Sequence, residues 1–267
     1  MSKLAINGDL VTDETYTVSL AKKTSRKWSN SVDSVAFSHP ISTLYATVGY
    51  SEEANGGCLF CLDYANSVPG NKTIKFTATH GITCMDISTG IILAIGTGEV
   101  LDNVLGTGDA FILDLRTNTT RHPATTINTS QSDMDSIRFS PCSNYLAISD
   151  ALDNSVTVHD LRLPGKTLLS YNHSVTGQSD CMMALTWLSN GRLVSGGMDG
   201  LVRLLDLSYA PFVNNATQQV INIGHQINTI ATLPADDTMM LVGTDSGIVS
   251  CYSINPSVGS YTYRSCY

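Results

Sequence analysis

The sequence has few charged residues and no long apolar run. Charged side chains make up 14% of the 267 residues, and Lys and Arg (15) are scarcer than Asp and Glu (23). The resulting net charge of −8 disfavours nucleic acid as a partner. No stretch approaches the roughly 20 apolar residues of a membrane helix, and the N-terminus lacks the apolar core of a secretory signal. We therefore expect an intracellular protein, of the cytoplasm or nucleus, with no membrane partner.

Signatures of metal sites and catalysis are also missing. Seven cysteines are an odd number and are scattered through apolar stretches, which favours buried thiols over a disulfide framework. Cys58 and Cys61 have a zinc-like spacing, but they fall on opposite faces of a strand and no second pair follows. We find no phosphate-binding loop, no His-Glu-x-x-His and no Gly-x-Ser-x-Gly. The sequence therefore predicts no catalytic residue, no metal, no cofactor and no enzymatic activity.

Strand signals occur along most of the chain, whereas helical periodicity is scarce. Short β-rich runs such as 34–38, 44–49 and 58–63 are separated by turns rich in Gly, Asn, Asp and Ser. With 21 Gly and 8 Pro, the composition is that of a globular protein with many turns. The pattern predicts an all-β protein.

The strand pattern recurs five times. Each unit has an opening strand, a second strand, and a third apolar strand that ends in a residue pair about 46 to 51 residues from the next one. The five pairs are Leu62-Asp63, Leu113-Asp114, His159-Asp160, Leu205-Asp206 and Tyr252-Ser253. Repetition at this spacing indicates one supersecondary design used five times.

The repeats resemble those of the WD-repeat β-propeller family. The fourth unit carries the resemblance best, because residues 195–206 contain the small-residue turn, the turn aspartate Asp199 and the terminal Asp206, with Leu205 where Trp is usual. Early histidines are His80, His173 and His225. No unit keeps both the His and the Trp, so we expect the family's buried His, Ser/Thr, Trp and Asp network to be incomplete.

The resemblance implies a propeller of four-stranded antiparallel blades over residues 31–267. The blade ranges are approximately 31–79, 80–130, 131–172, 173–223 and 224–267, and residues 1–30 form an N-terminal segment with one strand that closes the ring or belongs to an adjacent blade. The length leaves open a five-bladed ring, a six-bladed ring and an incomplete seven-bladed ring. An open ring would leave unpaired strand edges, so if five is the count we expect either that a partner closes the ring or that the chain is an incomplete gene product.

Two repeats end in Asp-Leu-Arg, with Arg116 and Arg162 as the arginines. The third repeat is similar in part to the motif by which substrate receptors dock on the adaptor of a cullin-RING ubiquitin ligase. Asp153 stands six residues before His159, and Asp160 and Arg162 follow. The alternative is structural, with each arginine paired to a nearby carboxylate or capping a strand end.

Acidic residues cluster in the turns between second and third strands, which in propellers lie on the same rim as the links between blades. An acidic rim would attract Lys- or Arg-rich peptides, although turn aspartates also bind their own backbone. Two aromatic residues, Trp28 and Tyr50, are candidate interface anchors near this rim. The acidic residues are Glu52, Glu53, Glu99, Asp102, Asp150, Asp153, Asp199 and Asp245.

These observations favour a non-catalytic scaffold that presents a rim to partner proteins as a subunit of a larger complex. Within that class, one hypothesis is a substrate receptor of a cullin-RING ligase, based on Arg162 and Arg116. Another is a reader of basic peptides such as histone tails, based on the acidic rim. From a different class, a propeller enzyme would use the rim carboxylates together with His80, His173 or His225.

Overall fold

The computed structural model describes most of the predicted repeats. The described residues are 3–4, 10–11, 32–41, 43–51, 56–63, 73–89, 91–98, 108–117, 123–129, 134–150, 155–163, 166–172, 182–207, 218–233, 236–254 and 261–265. Within these ranges the chain is all-β, and no helix is long and apolar enough to cross a membrane.

Five four-stranded antiparallel sheets follow one another along the chain, and in each sheet the strands are hydrogen-bonded in sequence order. A two-stranded ladder of β1 (Lys3–Leu4) and β2 (Leu10–Val11) precedes them. Sheet 1 comprises β3 (Val32–Ser38), β4 (Thr43–Ser51), β5 (Gly56–Asp63) and β6 (Thr73–Ala78). Sheet 2 comprises β7 (Gly81–Ser88), β8 (Ile92–Gly98), β9 (Asp109–Asp114) and β10 (Thr125–Asn128). Sheet 3 comprises β11 (Met134–Phe139), β12 (Tyr145–Asp150), β13 (Ser155–Asp160) and β14 (Thr167–Asn172).

The last two sheets have the same plan. Sheet 4 comprises β15 (Met182–Trp187), β16 (Leu193–Gly197), β17 (Leu201–Leu205) and β18 (Gln218–Asn222). Sheet 5 comprises β19 (Ile227–Leu233), β20 (Asp236–Thr244), β21 (Val249–Ile254) and β22 (Tyr261–Ser265). Each opening strand of the repeat is therefore the first strand of a sheet, which confirms the predicted four-stranded antiparallel units.

Glycines in the left-handed region close equivalent turns in the last two sheets. Gly200 has a φ of +71° and its N–H donates to the Gly197 carbonyl, while Gly247 has a φ of +78° and donates to the Thr244 carbonyl. A side chain at either position would strain the backbone. Each turn joins the second strand of its sheet to the third.

The core consists of the interfaces between consecutive sheets. Four apolar clusters fill these interfaces: one between sheets 1 and 2, one between 2 and 3, one between 3 and 4, and one between 4 and 5. Alternate residues of each strand point to opposite faces, so a sheet inside the array buries apolar side chains on both sides. Stacking buries the two apolar faces that one sheet alone would expose to water.

The first sheet shows how far burial depends on a neighbour. Ile137 of sheet 3 is fully buried against sheet 2. Val35 holds the same register position in sheet 1, on the face directed away from sheet 2, and is 61% exposed. Ile137 and Val35 are both β-branched apolar residues at the same strand position. The difference in their burial therefore comes from the presence or absence of a packed neighbouring sheet.

We predict that Ile137→Ala lowers the free energy of unfolding by about 2–5 kcal/mol, because it leaves a cavity between two packed sheets. Val35→Ala, the matched control at the same register position, should change it by no more than about 0.5 kcal/mol. Urea titration of both variants measures the difference. Equal losses would show that the face bearing Val35 is packed in solution.

Candidate functional site

The first strands of all five sheets carry the same irregularity at their N-terminal ends. The pairing register with the second strand shifts by one residue in each of them, which marks a β-bulge. The extra residues are Asp33, Thr83, Asp135, Met183 and Asn228. A bulge bends the strand and redirects the side chain of the extra residue. The five bulges therefore lie at the same end of the inner strands, and four of the five extra residues are polar.

These ends converge on one cavity of about 170 Å³. Its wall is formed by β3, β7, β11, β15 and β19, so each of the five sheets contributes its first strand. Four of the five bulged residues line it. The lining residues are Asp33, Ser34, Thr83, Cys84, Asp135, Ser136, Arg138, Ala184, Leu185, Asn228, Thr229 and Ile230. The cavity thus lies along a channel that the inner strands surround.

Charged groups of both signs line this channel. Asp33 and Asp135 are exposed and sit at the bulge level. Arg138 lies three residues further along β11, half-buried, and its Nη1 donates to the carbonyls of Ile137 (2.9 Å) and Met85 (3.4 Å). The second of these bonds crosses from sheet 3 to sheet 2. The mouth of the channel is therefore acidic, and a guanidinium lies deeper.

Cys84 also lines the cavity, but its thiol is not activated. Burial raises the pKa of Cys84 to about 12, although the hydrogen bond with Thr83 and the charge of Arg138 act in the opposite direction. The side chain is therefore a neutral thiol at physiological pH, and nucleophilic chemistry needs the thiolate. Thr83 Oγ1 donates instead to the Met134 carbonyl and ties sheet 2 to sheet 3.

Polar links between sheets hold the inner strands around the channel. Asp86 Oδ2 accepts a hydrogen bond from the Phe139 N–H at 2.7 Å, and burial raises the pKa of Asp86 despite this bond and the nearby Arg138. Trp187 Nε1 donates to the Arg138 carbonyl at 3.1 Å. Thr232 Oγ1 donates to the Trp187 carbonyl at 3.2 Å. Sheets 2 to 5 are thus joined in series next to the cavity.

Comparison with known proteins supports this architecture. The model of the WD domain, G-beta repeat, matches residues 169–206, which run from β14 to the end of the third strand of sheet 4. This segment of the chain is therefore similar to a WD repeat. No curated protein is significantly similar to it in sequence.

Solved propeller structures superpose on most of the chain. The Dos1 propeller is 22% identical with a TM-score of 0.65, over 84% of this chain and 54% of that one. A chain of the mitotic checkpoint complex is 16% identical with a TM-score of 0.68, over 90% of this chain and 65% of that one. The β-propeller domain of Cps50 (Swd1) from Myceliophteria thermophila is 13% identical with a TM-score of 0.63, over 87% of this chain and 70% of that one. The likeness shows the fold, and the chain spans little more than half the length of the first of these structures.

In this propeller, two of the acidic residues predicted to form a binding rim are buried or bonded within the fold. Asp150 ends β12 and is only 1% exposed. Asp199 accepts hydrogen bonds from the Leu201 N–H (3.0 Å) and from Arg203 Nη1 (2.7 Å). Asp245, in the equivalent turn of sheet 5, is exposed. Their role in binding remains a prediction, and Asp245 is the one of these three with an exposed side chain.

Most of the other predicted rim residues lie outside the described part of the chain. These are Trp28, Glu52, Glu53, Glu99, Asp102 and Asp153. The backbone of Tyr50 belongs to β4. The prediction that these residues contact a partner stays a prediction.

Both Asp-Leu-Arg segments form the same fork. Arg116 Nε and Nη2 bond to the Asp114 carboxylate, and Arg162 Nε and Nη2 bond to Asp160, with 2.6 and 2.8 Å for the Nη2 contacts. The arginine bond lowers the pKa of Asp114 to about 2 and lowers that of Asp160. The arginine side chains remain 63% and 56% exposed. The intramolecular pairing considered from the sequence is present, and each fork also faces solvent.

Sheet 4 has a buried ion pair on its third strand, and a hydrogen bond between two hydroxyl groups connects the sheet to sheet 3. Arg203 of β17 is 2% exposed and pairs with Asp199, and Tyr171 of β14 donates to Ser195 Oγ at 2.9 Å. His225 is exposed, while His159, where Trp is usual, is buried and bonded to Thr157. The sequence signal for the buried ion pair was an arginine at the centre of an apolar third strand. The sequence analysis did not identify it.

The histidines and carboxylates considered for an enzymatic site are not brought together. Among the described residues, no three His, Cys, Asp or Glu side chains are grouped so that they could hold a metal ion. The Nδ1 atom of His80 is buried without a hydrogen-bond partner, and His173 lies outside the described residues. A propeller enzyme with a carboxylate funnel therefore gains no support from these groups.

We predict that Arg203→Met lowers the free energy of unfolding by about 3 kcal/mol or more, because it leaves the Asp199 carboxylate in a largely buried site without its cation. The matched control is Arg192→Met in the same sheet, which removes a partly exposed pair with Asp206 at 3.5 Å and should cost less than about 1 kcal/mol. Chemical denaturation compares the two. Similar losses would mean that the Asp199–Arg203 pair contributes no more to the free energy of unfolding than the partly exposed pair does.

Proposed function

We propose that the protein is a non-catalytic interaction scaffold that binds a basic segment of a partner protein at the mouth of its central channel. The observation that carries this proposal is the row of aligned β-bulges, which brings Asp33, Thr83, Asp135 and Asn228 to one cavity. Two carboxylates and two neutral polar groups at one opening form a suitable acceptor set for an ammonium or guanidinium group.

Position and charge support a cationic ligand. The register pairs of sheets 3 and 5 place the bulged end of each first strand beside the end of the second strand, so Asp245 lies on the same rim as the channel mouth. The chain carries a net charge of −8. An acidic opening on an acidic protein increases the encounter rate with positively charged segments and disfavours polyanions.

The size of the cavity supports a single inserted side chain. An engineered cavity of about 150 Å³ accommodates a benzene molecule. A volume of about 170 Å³ therefore suits one long side chain, with the rest of the peptide lying across the rim.

We further propose that the protein acts inside the cell, as one subunit of a larger assembly. The cysteines within the described residues, which are Cys58, Cys61, Cys84, Cys142 and Cys251, form no disulfide. Reduced cysteines in this number suit a reducing compartment, where disulfides are rare. One of the similar structures is a chain of the mitotic checkpoint complex, and membership of a complex is a property of that protein that serves here as a precedent.

A second candidate function is docking on a cullin adaptor through the Asp-Leu-Arg segments. Sheets 2 and 3 are neighbours and present the same exposed fork at the ends of β9 and β13, on the edge opposite the channel mouth. Fixing a guanidinium with its own carboxylate preorganises it, and the exposed part can still meet an acceptor on a partner. A substrate receptor would then bind its substrate on one rim and its adaptor on the other.

We predict that Asp33→Asn together with Asp135→Asn abolishes selection of basic peptides. The probe is a library of nine-residue peptides with Arg, Lys, Gln or Glu at the centre, and the wild-type protein should enrich Arg or Lys. Loss of two charge-assisted hydrogen bonds should weaken binding of the enriched peptides about tenfold or more. Arg116→Ala with Arg162→Ala is the control and should leave selection unchanged. Basic peptides that bind the Asn variant as well would contradict the proposal.

The second candidate makes the reciprocal prediction. Arg116→Ala with Arg162→Ala should remove co-purification of a cullin adaptor from cells, whereas Asp33→Asn with Asp135→Asn should leave it intact. Quantitative mass spectrometry of the tagged variants measures this. If neither variant changes the amount of adaptor recovered, or if wild type recovers none, the adaptor hypothesis is wrong.

A further inference from the structure

Arg138 differs from its counterparts in the other sheets. It lies three residues after the bulge of β11, and the equivalent residues of the other first strands are Ala36, Asp86, Thr186 and Ala231. Arg138 is also the one basic residue among those that line the cavity. Among the described residues, the channel therefore has one guanidinium, at a level below the carboxylates of its mouth.

The guanidinium is positioned with donors to spare. In the described part of the chain its hydrogen bonds run through Nη1, to one carbonyl of its own strand and one of sheet 2. An arginine has five N–H donors in a planar fork. Nε and Nη2 are therefore available to an acceptor that enters the cavity, and a carboxylate matches this fork best.

The same guanidinium limits how a basic side chain can bind. A cation inserted below the mouth would approach Arg138, and repulsion between like charges increases as their separation shrinks, especially away from bulk water. The favourable level for a cation is thus that of Asp33 and Asp135. At the deeper level the Asp86 carboxylate also lies near Arg138, and the remaining N–H donors of Arg138 favour a carboxylate as ligand there.

We propose that the channel recognises a peptide segment in which an acidic residue accompanies the basic one, with the cation held by Asp33 and Asp135 and the carboxylate held by Arg138. This inference rests on the proposed function, since it assigns the partner of the same site. It makes Arg138 a specificity-determining residue, because a peptide with only basic residues leaves its donors without an acceptor in the closed cavity.

The test is a nine-residue peptide library with Arg fixed at the centre and the flanking positions randomised, selected on the intact protein. Wild type should enrich Asp or Glu at one flanking position, and a synthetic peptide with that Glu should bind about tenfold more tightly than its Gln analogue, as a charge-assisted bond predicts. Arg138→Met keeps an unbranched apolar stem and should reduce this ratio to about one while retaining selection of the central Arg. Arg138→Lys keeps the charge and should give an intermediate ratio.

The outcomes separate the two proposals. The inference is wrong if wild type shows no preference for acidic flanking residues. It is also wrong if Arg138→Met leaves the ratio of affinities for the Glu and Gln peptides unchanged. In either case the proposed binding of a basic segment stands. No binding of central-Arg peptides by wild type, with Asp33→Asn and Asp135→Asn also without effect, overturns the proposed function and this inference with it. If Arg138→Met fails to unfold cooperatively, the ratio in Arg138→Lys decides, because an unchanged tenfold ratio there would exclude a role for the fork.

Discussion

Apolar packing between neighbouring sheets is the constraint on which the rest of this propeller depends. A four-stranded sheet with two apolar faces can bury both only when it lies between two others. The contrast between Ile137, fully buried against sheet 2, and Val35, 61% exposed on the outer face of sheet 1, shows this directly. Hydrogen bonds within each sheet form the strands, but packing between sheets fixes where the strands lie relative to one another.

The channel follows from that packing. Radial stacking brings the first strands together, and their polar groups must then bond to one another or to water, because buried polar groups without partners are costly. The bonds from Phe139 to Asp86, from Trp187 to the Arg138 carbonyl and from Thr232 to the Trp187 carbonyl meet this requirement between consecutive sheets. The bulges leave one residue per strand outside the ladder, and four of these five residues line the cavity.

The repeats could be predicted from the sequence because their spacing and strand order are local signals. The cavity could not, since a bulge is a property of the register between two strands, and Asp33 and Asp135 look like ordinary strand residues in the sequence. Rim carboxylates were predicted from turn position alone, which gives no information on burial. Asp150 is buried, and Asp199 is bonded to Arg203 from the next strand. The forks of Arg116 and Arg162 were foreseen as one of two alternatives, because an Asp two residues before an Arg at a strand end is within reach of its guanidinium.

The antiparallel order of each sheet separates the two candidate binding surfaces. The first strand begins and the second ends on one edge, as the pairing of Met134 with Asp150 shows, whereas the third strand ends on the other edge, where Tyr145 pairs with Asp160. Carboxylates of the bulges therefore collect on one rim, and the Asp-Leu-Arg forks collect on the opposite one. A cation bound at the channel mouth and an acceptor bound at the forks would therefore not compete for space. The fold thus permits simultaneous binding of two partners of opposite local charge, which is what a scaffold requires.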